Sequence, residues 1–395
     1  MSGALGSVYN NTRFALQSHA KAMAALQEQV STGSRINRPS DDSSAAYKIL
    51  GLNSQKRSLA NYMSTIDEVS SILETAATII QDMFSSVSQV KVNLNQIISG
   101  TYDEAGRQRL ADQVNDTLEQ MISLANTQHL SRYIFGGSNT NTAPYAAQRT
   151  NGKITSITYQ GSSQQQNVEI APNVQASAYY AGKDIFGSNN RAAPQFLGDT
   201  GAAGGSGTSS VKGNVWLTVT FDGTDYNLSI DGGTTVIDVG DAADPTNVAV
   251  TNANGEVLYV NAAGITAIGV NMVNVPGTCD IFNTLITVRD LLENKYELSD
   301  SQLAQFRNSL SGSLDEITNL LVGKQTSIGS KIGFIEDLKN SLENIKYTAE
   351  DEASMLQEAD IAQLSIDITR RETLYQMSLI VAAKLLSVSL LDFID

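Results

Sequence analysis

The side chains that ordinarily carry chemistry are scarce in this chain. Two histidines, His19 and His129, and one cysteine, Cys279, are its whole stock of imidazole and thiol in 395 residues. A zinc or thiolate site needs several such ligands around one ion, so metal chemistry of that kind finds almost no material here. A single cysteine also excludes an internal disulfide framework. Cys279 has no base near it in sequence and reads as a small apolar residue. Carboxylates are plentiful, and a carboxylate pair can do general acid–base work. The pairs here, Asp41-Asp42 and Glu350-Asp351-Glu352, fall at a helix start and on a solvated helix face, where the helix dipole and hydration account for them. His19 falls on an apolar helical stripe, where a polar residue sets register. His129 falls near a helix end, where capping or exposure is the default. The glycine-rich stretch Gly201–Gly207 lacks the following Lys-Ser/Thr of a phosphate cradle and opens no helix. It reads as a linker inside a flexible Gly198–Gly207 loop. No constellation supports an enzyme, and no catalytic residue, cofactor or metal is expected.

What the residues do form is a pair of long apolar seams, one at each end. Leu5, Tyr9, Thr12, Leu16, His19, Met23, Leu26 and Val30 recur at gaps of four and three, and so do Ile361, Leu364, Ile368, Leu374, Met377, Val381, Leu385, Val388 and Leu391. Such spacing keeps one stripe of a helix against a partner helix. Chain ends are normally frayed and polar, so ends built this way are expected to be buried, by each other or by neighbouring molecules. Alanines at 15, 20, 22, 24, 25, 382 and 383 allow close approach by several helices. These seams are the expected assembly interface. Residues 1–36 hold three basic side chains against one acidic, and residues 350–395 three against nine. Opposite signs favour docking the first helix on the last.

The formal charge of −15 argues against nucleic-acid partners, which need clustered Lys and Arg, and against anionic membranes. No apolar run reaches spanning length, and the first ten residues lack a cleaved secretory signal. Along the chain, a first helix is expected over about 4–31, stopped by Gly33. A turn at Asn37-Arg38-Pro39 follows, with Ser40 as N-cap of a second helix running to Gly100. A third helix should follow a loop at Gly100–Asp103 and reach Ser131. From Gly136-Gly137 to about Gly277 the texture turns Gly-, Ser-, Thr- and Asn-rich. Ile154–Tyr159 and Asn167–Ile170 look like a strand pair, and Val215–Phe221 with Tyr226–Ile230 a hairpin through Asp222-Gly223. Helix returns at Cys279, breaks near Ser299, and continues to the end. The expected fold is mainly α with a β insert: a long antiparallel bundle formed by the two halves, and a β-rich variable domain at its tip. The expected domains are terminal helices (1–39 with 350–395), a helical bundle (40–135 with 279–349) and a β domain (136–278).

With this organisation established, the segment from Gln27 to Asp42, Gln-Glu-Gln-Val-Ser-Thr-Gly-Ser-Arg-Ile-Asn-Arg-Pro-Ser-Asp-Asp, resembles the N-terminal signature of the bacterial flagellin superfamily. Its motif positions here are Gly33, Arg35, Asn37, Pro39, Asp41 and Asp42. Glu358-Ala359-Asp360-Ile361-Ala362 resembles the segment that opens that family's C-terminal helix. Finer motifs are similar to its branch at the hook–filament junction: Arg132–Ser138 with Pro144-Tyr145, Tyr159-Gln160-Gly161, Gly182–Gly187, Asp280–Leu285 and Leu390–Phe393. The likeness covers roughly residues 1–190 and 279–395, and 195–275 looks like a variable insert. The resemblance implies a non-enzymatic adaptor of the flagellum that forms a ring with copies of itself. It would sit on hook-associated protein 1 and present a surface on which flagellin polymerises. It also implies export without a cleaved signal to the cell exterior, with a chaperone on the C-terminal helix beforehand. The alternatives are a filament-forming flagellin or, from another class, an adhesin-like surface protein binding glycans through Trp216, Tyr226 and Tyr259. For aromatics in strands, packing is the commoner role.

Overall fold

The computed structural model describes residues 2–96 and 103–394, with side chains for 7, 8, 10–96 and 103–384. The chain divides into two compact units, residues 1–64 with 338–395, and residues 65–337. Two long helices, α2 (Ser43–Gln96) and α6 (Asp300–Gln357), contribute residues to both.

The first unit contains α1 (Ser2–Thr32), the opening of α2, the close of α6, and α7 (Ile361–Ile394). Asp42, not Ser40, caps α2: its Oδ1 accepts from the Ala45 backbone N–H at 3.0 Å. The helix therefore starts later than expected, because Asp41 is committed elsewhere, accepting from the backbone N–H groups of Asn37 (3.1 Å) and Arg38 (2.8 Å). Lys56 on α2 pairs with Glu350 on α6 at 2.8 Å.

The second unit is built on α3 (Glu104–Ala125) and α5 (Ile281–Leu292), which pack together, with the remaining stretches of α2 and α6. Leu110, Val114, Leu118, Met121 and Ala125 are buried along one face of α3, as the 3.6-residue period requires. Its N-cap Asp103 accepts from the Gly106 N–H at 2.8 Å. Gln325 donates to Gln81 at 2.7 Å and Lys91 pairs with Asp315. Partners ten residues apart on α2 are thus ten apart on α6 in the opposite direction, an antiparallel register. The third helix ends at Ala125, not Ser131. There the chain enters a tight ribbon, β1 (Gln128–His129) with β2 (Arg132–Tyr133), turned by Leu130 and Ser131 at positive φ. Residues 97–102, with the expected end of the second helix and most of the expected Gly100–Asp103 loop, lie outside the described residues.

The strand pairing differs from expectation. β4 (Lys153–Tyr159) pairs with β3 (Tyr145–Thr150), and β5 (Gln166–Ala171) with β6 (Val174–Tyr179). Each pair is local, closed by a short turn. The short helix α4 (Gly182–Phe186) follows. Phe135, Tyr145, Phe186 and Phe282 then meet in one aromatic cluster, with ring centroids 4.8 Å apart for Phe135–Phe186 and for Tyr145–Phe282.

Residues 195–275 form a two-layered β structure. One sheet is antiparallel in the order β11-β10-β9-β14-β7 (Ile237–Asp238, Tyr226–Ser229, Gly213–Phe221, Gly269–Val275, Gln195–Leu197). The other runs β12-β13-β8 (Val248–Thr251, Val257–Asn261, Ala203–Gly204). Their inner faces share a core that includes Leu217, Val219, Val273, Val275, Val250, Leu258 and Val260. The expected Gly223 hairpin is present: Phe221 pairs with Tyr226, and Asp222 accepts from the Thr224 and Asp225 N–H groups. The expected flexible loop at Gly198–Gly207 is instead an ordered part of this core. Ala203 and Gly204 pair with Asn261 and Val260, Thr200 is buried, and the Gly207 N–H donates to Asn247 at 2.8 Å. Glycine is required there because a Cβ at 207 would lie 2.3 Å from the Tyr259 ring.

Alternate residues of β9 and β14 face the helices. Trp216 packs tilted on Tyr296 (4.6 Å) and edge-to-face on Phe306 (5.7 Å), and Asn274 donates to Asn214 at 2.6 Å and Ser313 at 2.8 Å. Residues 195–275 hold eight carboxylates against one base, Lys212, so the insert is acidic.

Candidate assembly face of the terminal helices

In the first unit α1 packs against α7, the docking that their opposite charges favour. The α1 seam residues Leu16, His19, Met23 and Leu26 are half-buried. Arg371 of α7 donates to His19 Nδ1 at 3.4 Å, so the seam histidine pairs across the two helices. Leu26 and Ala22 line a cleft with Asp367, Arg371 and Leu374.

Coverage of α7 is incomplete. Leu364 is buried and Ile368 half-buried, but Ile361, Leu374, Met377 and Val381 of the same seam are exposed, Met377 at 58% and Val381 at 50%. Ile366, Leu379 and Ile380 are exposed as well. Residues 379, 380 and 381 are consecutive and therefore point about 100° apart around the helix. One partner helix covers one stripe, and a helix apolar on several sides is ordinarily buried on several sides. On α1, Val8, Phe14 and Val30 are exposed too. The side chains of Leu5, Tyr9, Leu385, Val388 and Leu391 lie outside the described side chains.

The motif residues between α1 and α2 build a clamp on the α6–α7 junction. Gly33 ends α1 at φ +69°, the left-handed conformation that closes a helix. Its carbonyl accepts from the Ala359 N–H at 3.1 Å, and the Arg35 N–H donates to the Gln357 carbonyl at 2.7 Å. The Arg35 guanidinium reaches the Leu356 carbonyl (3.2 Å) and Asp42 (3.4 Å). Asn37 donates to the Ser34 carbonyl at 3.2 Å. Pro39 takes the second position of a turn closed by the Asp41 N–H on the Arg38 carbonyl at 2.9 Å, where its fixed φ fits. The Ala45 N–H above all, and then the Arg35 charge, hold the Asp42 carboxyl below its ordinary range. Asp41 and Asp42 are thus engaged in turn and cap geometry. The clamp itself escaped sequence reasoning, although both of its halves, Gly33–Asp42 and Glu358–Ala362, were visible as motifs.

The other residues with chemical potential are similarly occupied or apart. Glu350 is held by Lys56, whose hydrogen bond and charge lower its pKa. Cys279 is buried, and burial pushes its thiol up to about 12. Among the described residues no group of three His, Cys, Asp or Glu is placed to hold a metal ion. No helix among them is long and apolar enough to cross a membrane. Trp216 and Tyr259 are taken up in packing, and Tyr226 lies against the Phe221 ring.

Comparison with known proteins agrees with this architecture. Residues 6–140 match the family described as the bacterial flagellin N-terminal helical region. Flagellar hook-associated protein 3 of Escherichia coli strain K12 is 27% identical over 123 residues, 31% of this chain and 39% of the relative. The protein of the same name from Salmonella typhimurium is 27% identical over 121 residues, 30% of this chain and 38% of the relative. The matches thus span about two fifths of the length of these relatives. Among solved structures, flagellar hook-associated protein 3 from Legionella pneumophila superposes with a TM-score of 0.52 at 17% identity, over 78% of this chain and 99% of the other. A structure of the flagellar junction protein FlgL from the same organism gives 0.51 at 18% identity, over 79% and 100%. At such identities the structures speak for the fold, long terminal helices around a β-rich middle. Sequence and fold together place this chain's likeness in the bacterial flagellin superfamily, and within it the chain resembles flagellar hook-associated protein 3.

Proposed function

We propose that this chain is a structural subunit of the bacterial flagellum, an adaptor at the hook–filament junction on which flagellin polymerises. The observation that carries the reading is the uncovered apolar surface of α7, from Leu374 to Val381, on a chain that resembles hook-associated protein 3. Exposed apolar area of that extent marks an interaction surface. Its partners are copies of itself in a ring, hook-associated protein 1 below and flagellin above, with an export chaperone on α7 before assembly. The place of action is outside the cell, reached without removal of a leader. Deleting the gene should leave cells with hooks but no attached filaments. Normal filaments on such cells would remove the assignment. The reading of the chain as filament subunit draws on the same N-terminal match and is separated by copy number: thousands of copies along each filament would establish it instead.

A further inference from the structure

The first unit carries a second asymmetry, on α2 and α6, that the α1–α7 seam does not use. From Ser43 to Ile66 the opening of α2 holds Lys48, Lys56 and Arg57 and no carboxylate, in a chain of net charge −15. From Tyr347 to Thr369, the close of α6 and start of α7 hold six carboxylates and no base. Part of this opposition is satisfied within the molecule, by Lys56 on Glu350 at 2.8 Å. Lys48, Arg57, Asp351 and Glu352 carry no ion pair among the described residues.

Each charged stretch is centred on a bare apolar side chain. On α2, Tyr47 (80% exposed) and Leu50 (63%) stand three residues apart, and Arg57 follows Leu50 by seven, so the three share a helix face. Leu50, Asn53, Lys56 and Arg57 line an open hollow with Lys346. On α6, Tyr347, Asp351 and Met355 follow at helical spacing, and Met355 is 79% exposed. One patch is apolar with a basic rim, the other apolar with an acidic rim, and both lie on the same unit.

We propose that these two patches are the halves of one head-to-tail contact between copies of this chain, with the Met355 stripe of one copy seated in the Leu50 hollow of the next. A patch that complements a different patch on its own molecule makes a heterologous contact, which closes into rings or propagates as helices. Charge complementarity fixes its register and excludes the like-with-like pairing that would end in a dimer. The inference rests on the assembly reading above and names its lateral contact.

The test is cysteine cross-linking on flagella isolated from cells whose only copy of the gene carries the variants. Leu50→Cys with Met355→Cys in the full chain, treated with a short bis-maleimide, should give a ladder of covalent oligomers. Either single variant should give almost none, and buried Cys279 stays silent. Adding Arg57→Glu should reduce the ladder roughly tenfold, and adding Asp351→Arg to that should restore it. Should the cysteine pair keep the chain out of flagella, Arg57→Cys with Asp351→Cys replaces it. Dimers from a single variant, or an unlinked double variant present in the flagella, would overturn the proposal. Neither of those results touches the junction assignment, which the deletion strain decides separately.

Discussion

Among individual residues, Arg289 and Asp280 show how polar groups are made tolerable inside the second unit. Arg289 is buried, and its guanidinium is shared among Asn115 (3.1 Å), the Ile154 carbonyl and Asp290 (2.8 Å). It therefore ties α3, β4 and α5 to one another. Arg289→Ala would leave buried Asp290 with Lys295 at 3.5 Å, so it should destabilise the unit by about 3 kcal/mol, the low end for breaking a buried pair. The denaturation midpoint in urea is the measure, and an unchanged midpoint would refute the role. Asp280 caps α5 with one oxygen accepting from the Phe282 and Asn283 N–H groups, each at 2.9 Å. Burial raises its pKa against the pull of those donors. A raised carboxyl binds its proton more tightly folded than unfolded, so its contribution is full below the unfolded pKa and lost as pH climbs through the folded value. Asp280→Asn should thus gain stability relative to the parent as pH rises from 4 to 7, seen as a widening gap in melting temperature. A constant gap would show that the carboxyl titrates as it does in the unfolded chain. At this scale the sequence was legible where a residue acts locally. Caps and breaks at Gly33 and near Ser299 follow from neighbours alone. The cap passed from Ser40 to Asp42 because Asp41 was claimed by a turn, and two partners of Arg289, Asn115 and Ile154, lie 174 and 135 residues away, beyond any local pattern.

Helices and strands differ in how much of them the sequence exposes. Helix positions were legible because apolar periodicity is a property of the segment itself, although the third ends six residues before Ser131, where the chain turns into a ribbon. Strand positions were legible for the same reason, but the partner of β4 was misassigned. The overlooked signal was Asn151-Gly152, both at positive φ (54° and 79°), the dipeptide of a two-residue hairpin. Pro172-Asn173 plays a similar part between β5 and β6, with Asn173 at φ 62°. The Gly198–Gly207 segment looked like a linker because its glycines are spaced for Tyr259 and Gly264, contacts that composition does not reveal. For the α1–α2 clamp, the consequence is testable. A Cβ on Gly33 meets nothing within 4 Å, so Gly33→Ala should lose only the backbone preference at φ +69°, about 1–2 kcal/mol. A thermal melt of the full chain reporting on the terminal helices would check this. A much larger loss would show that the clamp tolerates no adjustment.

Over the whole molecule, the buried interior of residues 65–337 and the uncovered apolar surface of α7 belong to different units. Residues 65–337 form a compact unit of their own with a buried interior that includes Leu118, Met121, Phe135, Phe186 and Phe306. A fragment covering them should unfold cooperatively by circular dichroism, and a featureless melt would assign the terminal helices to the folding core. Conversely, Val381→Asp should leave the melt of the isolated chain almost unchanged, since that side chain is half exposed. It should abolish incorporation into flagella, because an unpaired charge closed among apolar helices costs several kcal/mol. Retained incorporation would take α7 out of the assembly interface. The packing of the first helix on the last was legible because their opposite charges are spread over long stretches. The acidic and basic patches of α2 and α6 escaped notice because their meaning depends on exposure, which periodicity does not give.

The two-sided sheet of the insert also decides where foreign sequence can be added. Up to about Val219, strand β9 and its partner β14 have no spare face, since one side is packed into the sandwich and the other onto Phe306, Tyr296 and Ser313. The hairpin tip at Asp222–Asp225 touches neither, and its backbone is held by its own aspartate. An epitope spliced between Gly223 and Thr224 would hang from a rigid β scaffold, which makes this tip a natural display port for tags, antigens or fluorophores.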